Sequence, residues 1–281
     1  MCRDCGCSDP NRLAEVAHEH VHAHSHDHHH HHHEHDLPLP LGEGSEREGA
    51  PGERTIAVER SLLELNDHLA MHNRERFEAD GVLVLNLMSS PGAGKTRLLE
   101  LTLGDLADRL RMGVIVGDLA TDNDARRLRV SGAPVVSVNT GTMCHLEADM
   151  IARAASELEL AGLDLLFIEN VGNLVCPASF DLGESVRVVL MSVTEGEDKP
   201  LKYPPLFKRA DLVLVTKTDL LAATGFDLLE ARENIRRIAP QAEIIGLSAR
   251  TGDGLDAWYR FLLKRMPQRQ LAAGIVDGAE I

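Results

Sequence analysis

All five cysteines of the sequence stand where they could hold a metal. Cys2, Cys5 and Cys7 form a C-x-x-C-x-C cluster, with Gly6 loosening the turn between the thiolates. Three soft donors this close suit Ni²⁺, Zn²⁺ or Cu⁺, and a chain-start amine or deprotonated amide could complete a square-planar site that would favour Ni²⁺. A histidine tract follows. His18, His20, His22, His24 and His26 alternate with other residues, His28, His29, His30, His31, His32 and His33 are consecutive, and His35 closes the run. Its internal place, alternating start and interleaved acids do not fit an expression tag. Imidazoles on a loose chain bind borderline divalent ions weakly and exchangeably and release them on protonation, which suits storage or delivery better than catalysis. Further along, Cys144 and His145 are adjacent, and Cys176 falls seven residues after Glu169. A metal site is favoured over burial of the two thiols as small hydrophobes. Sequence separation leaves open whether the two meet, and a water or a second protomer would complete the coordination.

The second chemistry is phosphate binding. Ser89-Ser-Pro-Gly-Ala-Gly-Lys-Thr96 follows an apolar run and opens a helical one, the context of a P-loop. Gly92, Ala93 and Gly94 let consecutive N–H groups turn toward phosphate oxygens. Lys95 would neutralise the β- and γ-phosphates, Thr96 would ligate Mg²⁺, and Arg97 continues the nucleotide-binding run. Ser89 stands where the first glycine of G-x-x-x-x-G-K-[ST] is usual. Thr216-Lys-Thr-Asp219 matches N-K-x-D except at its first position. Asp219 can accept from guanine N1–H and the 2-amino group, donors that adenine lacks there, and the Lys217 stem can lie over the base. Thr216 replaces a bracing Asn, which puts nucleotide affinity in question more than base choice. Ser248-Ala249-Arg-Thr-Gly252 resembles an S-A-x-x-G loop whose backbone reads guanine O6. GTP is therefore expected over ATP, hydrolysed with Lys95, Thr96, Asp118 and Glu169 as catalytic residues. The remaining Mg²⁺ ligands should be Asp118 and Glu169, each at a strand end, with Asp122 and Asp124 close enough to share the role. No residue stands out as the positioner of the attacking water.

These groups need a frame. Short apolar runs predict buried strands over 82–88, 114–117, 134–138, 164–168, 187–193, 211–216 and 243–247, with helices over 96–111, 145–160, 228–238 and 255–266. Alternation of this kind predicts an α/β fold of the P-loop NTPase type: a mostly parallel sheet of about seven strands, helices on both faces, and ligands at the carboxyl ends of the strands. Residues 1–52 lack a periodic apolar pattern and read as a disordered metal-binding tail. A lead-in amphipathic helix is expected within 53–80, on the spacing of Ile56, Leu62, Leu63, Leu65 and Leu69. The nucleotide-binding domain follows over 81–267, and 268–281 read as a frayed end. The 281 residues carry a formal charge of −15 and only 3% aromatics, which argues against a nucleic-acid or anionic-membrane partner. No apolar run approaches a membrane span, and the start has no signal-peptide pattern, so a cytoplasmic location with reduced cysteines is expected.

Together these residues resemble the HypB-type hydrogenase nickel-incorporation GTPases, P-loop proteins that dimerise on binding nucleotide. The resemblance covers about residues 54–267 plus the first seven. It is carried by Met1-Cys-Arg-Asp-Cys-Gly-Cys7, the P-loop, Cys144-His-Leu-Glu-Ala-Asp149 and Ile168-Glu-Asn-Val-Gly-Asn-Leu-Val-Cys-Pro177. It implies a tight nickel site at Cys2, Cys5 and Cys7, and a nucleotide-responsive nickel or zinc site at Cys144, His145 and Cys176 near a dimer interface. It further implies a small zinc-containing accessory protein of HypA type as partner and the nickel–iron hydrogenase large-subunit precursor as destination. The related urease-accessory GTPases share the nucleotide parts but normally carry a Cys-Pro-His motif, absent here. The expected function is GTP-driven nickel delivery; nickel storage with nucleotide-controlled assembly, a urease-accessory-like nickel GTPase, or thiol-based sensing are the alternatives.

Overall fold

Seven strands form one sheet: β1 (Leu83–Ser89), β2 (Met112–Asp118), β3 (Val135–Asn139), β4 (Leu165–Glu169), β5 (Val186–Ser192), β6 (Leu212–Thr216) and β7 (Glu243–Gly246). Their order is β3-β2-β4-β1-β5-β6-β7, and every neighbouring pair is parallel. The computed structural model describes residues 51–119 and 121–266, with side chains from residue 60 on. Cys2, Cys5, Cys7, the histidines of 18–35 and the expected frayed end lie outside the described residues. From Ser61 onward the described residues form one compact unit; of the other, Met1–Arg60, only the first turns of a helix are described.

The strands read as continuous apolar runs because both sheet faces are covered. Leu83, Leu85 and Leu87 of β1 face one core with α2 (Lys95–Asp105), α3 (Asn123–Arg129) and α9 (Leu255–Arg265). Val84 faces α1 (Pro51–Asp80) and α4 (Ala148–Ser156) on the other side. Met88 shares that second face with α6 (Pro204–Lys208) and α8 (Leu228–Ile238). Two short helices, α5 (Lys199–Lys202) and α7 (Leu221–Thr224), complete the α-helices among the described residues. Among the described residues no helix is long and apolar enough to cross a membrane.

Several expected boundaries move. The helix expected over 96–111 ends at Asp105, and β2 starts at Met112, two residues early. Gly113 hid that start: it adds no side chain to the pattern, and a Cβ there would stand 2.7 Å from Leu163. The helix expected over 145–160 shrinks to Ala148–Ser156 because His145 and Leu146 are held in the preceding turn. Leu146 fills the space left by Gly117, where a Cβ would stand 2.8 Å from its side chain. Helix α3 was not expected, since Ala125 and Leu128 alone face the core among its seven residues. The lead-in helix also turns an unexpected face inward. Asn66, Ala70, Asn73 and Phe77 are buried at helical spacing, while Leu62 and Leu65 are exposed. The asparagines explain it: Asn66 accepts from Ala148 N–H (2.9 Å) and donates to Asp181 O (2.8 Å), and Asn73 donates to Ala148 O (2.8 Å) and Leu182 O (3.1 Å). A helix that replaces backbone partners this way caps the start of α4 from outside.

Candidate functional site

At the carboxyl end of β1 the chain turns through Gly92 (φ 75°) and Gly94 (φ 104°) into α2. Only glycine adopts these left-handed angles without strain, and they aim the following N–H groups outward. Lys95 donates to Ser89 Oγ at 3.0 Å, so the serine in the first-glycine position holds the lysine across the loop. Burial lowers the Lys95 pKa, opposed by the nearby charges of Glu169, Asp124 and Glu195.

Thr96 donates to Glu169 Oε1 at 2.6 Å. Burial pushes the Glu169 carboxyl up to about 7, with Lys95 and Thr96 pulling the other way. Its Oε2 is buried without a hydrogen-bond partner. A carboxylate with one orphaned oxygen beside a P-loop threonine fits a divalent cation, which would supply the missing charge and ligand. Asp118 sits at the end of neighbouring β2, where Val116 pairs with Glu169, and accepts from Leu119 N–H (2.6 Å) and the Thr121 hydroxyl. The structure separates the two further acids. Asp122 is engaged by Arg129 (2.7 Å), whereas Asp124 acts electrostatically on both Lys95 and Glu169.

The residues expected to hold the base lie around a cavity of about 350 Å³ whose lining includes Ala93, Gly94, Arg97, Lys217, Asp219, Ser248 and Ala249. Lys217 is the one non-glycine residue at positive φ (60°) among the described residues. Ser248 Oγ donates to Asp219 Oδ1 (2.6 Å) and accepts from Arg250 N–H and Thr251 N–H (3.2 Å each), tying the S-A-x-x-G turn to the carboxylate. Thr216 Oγ1 donates to Ala93 O at 2.7 Å.

The three candidate metal ligands of the domain meet. Ligand atoms of Cys144, His145 and Cys176 lie within 4.8 Å of one another. The two sulfurs are 2.7 Å apart, beyond the ~2.05 Å of a disulfide. His145 is 3% exposed and stacks on Phe180 with ring centroids 3.9 Å apart. Neither of its ring nitrogens makes a hydrogen bond, although Nε2 lies 3.4 Å from Glu147 Oε1. A buried imidazole with neither nitrogen hydrogen-bonded, beside two thiols, is a donor set for Ni²⁺ or Zn²⁺.

One segment joins the two sites. Residues 169–176 begin at the Thr96 partner and end at Cys176. Between them Gly172 lies against the P-loop, where a Cβ would stand 3.0 Å from Pro91 Cα. Asn170 Oδ1 accepts from Val171 N–H (2.9 Å) and from Leu146 N–H (3.4 Å), next to His145. Its Nδ2 donates to buried Asn86 (3.3 Å), which donates to Glu184 (3.4 Å), itself paired with Arg187 (2.6 Å). The turn before Cys144 is tied to the other strand end: Thr140 N–H donates to Asp118 O (2.9 Å) and Thr140 Oγ1 to Met143 O (2.7 Å).

Sequence reasoning missed Asn86, Asn170, Phe180 and Glu195. Glu195 accepts from Ser90 Oγ (2.5 Å) and Ser192 N–H (3.1 Å) and pairs with Lys199, bracing the P-loop from the end of β5. Its only signal was a carboxylate three residues past a strand end. A polar Asn86 inside the apolar β1 run was the available signal for the buried chain.

Residues 83–246 match the family model described as the CobW/HypB/UreG nucleotide-binding domain. The chain is 51% identical over 233 residues to the hydrogenase maturation factor HypB of Azotobacter chroococcum mcd 1, covering 81% of this chain and 76% of that one. It is 52% identical over 224 residues to HypB of Escherichia coli K12, covering 79% and 77%. Among solved structures, HypB from Helicobacter pylori in complex with nickel superposes with a TM-score of 0.69 at 40% identity, covering 76% of this chain and 99% of that one. HypB from Archaeoglobus fulgidus gives 0.68 at 39%, covering 72% and 98%. With its P-loop, its N-K-x-D-like and S-A-x-x-G-like loops and two adjoining thiols beyond the carboxyl ends of one parallel sheet, the chain belongs to the HypB group of the CobW/HypB/UreG family.

Proposed function

We propose that this chain hydrolyses GTP to control delivery of nickel for maturation of the nickel–iron hydrogenase large subunit. The N–H groups around Gly92, Ala93 and Gly94 cradle the phosphates, Lys95 neutralises them, and Arg97, Lys217, Asp219, Ser248 and Ala249 hold the guanosine. Thr96, Asp118 and Glu169 would hold Mg²⁺, which when bound offsets the charge on the β- and γ-phosphate oxygens. Nickel is cargo, with zinc as the competing ion, and binds at Cys144, His145 and Cys176 with a fourth donor from water or a second protomer.

The observation that carries this reading is the single stretch 169–176, which bonds to Thr96 at one end and meets Cys144 at the other. A γ-phosphate that shifts Glu169 therefore shifts the backbone carrying Cys176, and its loss on hydrolysis lets that backbone relax. Reciprocity follows: if nucleotide changes nickel affinity, nickel changes nucleotide affinity by the same factor.

On this reading, residues 1–52 form a metal-collecting tail, with Cys2, Cys5 and Cys7 as its tight site and the histidines as its exchangeable one. Residues 53–80 form the lead-in helix and 81–267 the GTPase domain. The working form is a cytoplasmic homodimer when nucleotide or metal is bound. It receives or passes nickel with a HypA-type accessory protein and acts on the large-subunit precursor.

The test is a nickel titration of the full chain with GDP and with a non-hydrolysable GTP analogue, paired with nucleotide titrations at zero and saturating nickel. Different nickel affinities in the two nucleotide states, with the same factor in the reverse titration, support the reading. Equal affinities remove the coupling.

A further inference from the structure

Beyond the tail, the sequence holds three histidines: His68, His72 and His145. His145 belongs to the thiol cluster. The other two lie one turn apart on α1, where residues at i and i+4 share a face. Their ring centroids are 4.6 Å apart. Both side chains are on the exposed side of the helix, opposite the buried stripe of Asn66, Ala70, Asn73 and Phe77. The Glu75 carboxylate lies 3.4 Å from His72 Nδ1.

We propose that His68 and His72 form a second metal site in the folded domain, a chelating pair for a divalent cation that favours imidazole, Ni²⁺ or Zn²⁺. Two imidazoles at this helical spacing can direct one nitrogen each at a common ion about 2.0–2.1 Å away. The Glu75 carboxylate lies beside Nδ1 of His72 and leaves Nε2 as the nitrogen that faces an ion, the placement that outer partners of metal-bound histidines take. The helix is fixed before any ion arrives. Asn66 and Asn73 bond the backbone at Ala148, Asp181 and Leu182, and Arg74 pairs with Asp181 at 2.8 Å. Binding therefore does not have to order the helix.

Exposure leaves the remaining coordination positions to water, so the ion exchanges readily. Two imidazoles plus water hold a borderline ion less firmly than two thiolates plus an imidazole, and transfer from this pair to Cys144, His145 and Cys176 runs downhill. The pair stands on the helix that caps α4 immediately after that cluster. The inference holds whether or not nucleotide controls the thiol site.

The experiment uses the full chain with the tail histidines changed to glutamine and Cys2, Cys5, Cys7, Cys144 and Cys176 changed to serine, titrated with Ni²⁺ and with Zn²⁺. One ion per chain is expected. His68→Ala or His72→Ala should weaken binding roughly tenfold or more, because the second donor acts at high effective concentration. The decisive variant is His72→Ala with Glu78→His, which keeps both imidazoles but sets them about 15 Å apart along the helix; it should bind as poorly as the single variants. Cu²⁺ as a spectroscopic probe should show two equatorial nitrogens in the parent and one in each variant. No bound ion in the parent, or equal affinity in the separated-imidazole variant, overturns the proposal. The copper spectrum of the parent decides the matter even if a variant fails to fold.

Discussion

Thr216 at the end of β6 donates its hydroxyl hydrogen to the Ala93 carbonyl, 123 residues earlier in the chain, at 2.7 Å. The contact ties the Thr216–Asp219 loop to the P-loop, the bracing that asparagine usually supplies in N-K-x-D. The concern that threonine leaves the loop unsupported is therefore answered locally: the shorter side chain still reaches Ala93 O. Thr216→Val keeps the shape and removes the donor. A neutral hydrogen bond is worth about 0.5–1.5 kcal/mol, so GDP affinity should fall by a factor of about 2 to 13. Thr216→Ser should retain it. Fluorescent-nucleotide titration distinguishes the two, and equal affinities in valine and serine variants would show that the brace is irrelevant to binding.

Base choice is expected to rest on Asp219. Ser248 occupies Oδ1 at 2.6 Å and Arg250 approaches Oδ2 at 3.5 Å, which fixes the carboxylate plane at the edge of the cavity. Asp219→Asn replaces one acceptor oxygen by an NH₂ group, which meets the 2-amino group of guanine donor to donor. Xanthine carries a carbonyl there and suits the amide. The variant should lose GTP kcat/KM by about a hundredfold or more and gain activity on XTP, because a site left with mismatched polar groups rejects the ligand strongly. Competition between GTP and XTP reads this directly. A variant that still preferred GTP would place the guanine elsewhere.

The opposite end of the sheet offers a pH-dependent stability prediction. Asp164, just before β4, accepts from Arg111 N–H (2.8 Å) and from the Arg111 guanidinium (2.8 Å). Burial alone would raise its pKa, but the Arg111 hydrogen bonds and charge outweigh burial and hold it below the ordinary carboxylate value. A depressed carboxyl contributes stability above its unfolded pKa and loses it as pH falls through the folded value. Asp164→Asn should therefore lower Tm at pH 7, and the gap to the parent should narrow below about pH 4. With the guanidinium 64% exposed, the loss should be about 1 kcal/mol. Thermal melts at pH 7 and pH 3.5 test it; a constant gap would mean that the charge does not matter.

What was legible in the sequence follows from how locally each feature is encoded. The parallel sheet was legible because buried strands such as β5 and β6 are unbroken apolar runs, and the P-loop because its glycines and lysine are contiguous. Strand ends and helix starts set by tertiary contacts were not. His145 leaves the helix because Leu146 fills the gap at Gly117, and no pattern within 140–150 records that. The inward face of α1 was hidden for a related reason. Its buried stripe includes Asn66 and Asn73, whose partners at Ala148, Asp181 and Leu182 lie more than seventy residues away, so polar residues occupy the places where hydropathy looks for leucines. That Cys144, in the turn after β3, adjoins Cys176, in the turn after β4, depends on the order β3-β2-β4 and on the Thr140 bond across to Asp118 at the end of β2, topological facts outside any motif.

The proposed coupling makes its sharpest demand on Asn170. This side chain accepts from Leu146 N–H beside His145 and donates to Asn86 in β1. It follows Glu169 directly, so a shift of that carboxylate must either carry Asn170 along or strain the buried chain that runs through Asn86, Glu184 and Arg187. Asn170→Ala cuts the chain and leaves the Leu146 donor without its acceptor, a cost of about 1–3 kcal/mol in stability. The informative quantity is a ratio: nickel affinity with the GTP analogue over nickel affinity with GDP. It should collapse toward one in Asn170→Ala while each nucleotide still binds. Gly172→Ala supplies the contrast, since its Cβ would press on Pro91 at 3.0 Å and shift the loop without touching the polar chain. If Asn170→Ala keeps the ratio and Gly172→Ala destroys it, the signal passes through contact with the phosphate loop rather than through the buried asparagines. If neither changes it, the stretch 169–176 does not connect the two sites.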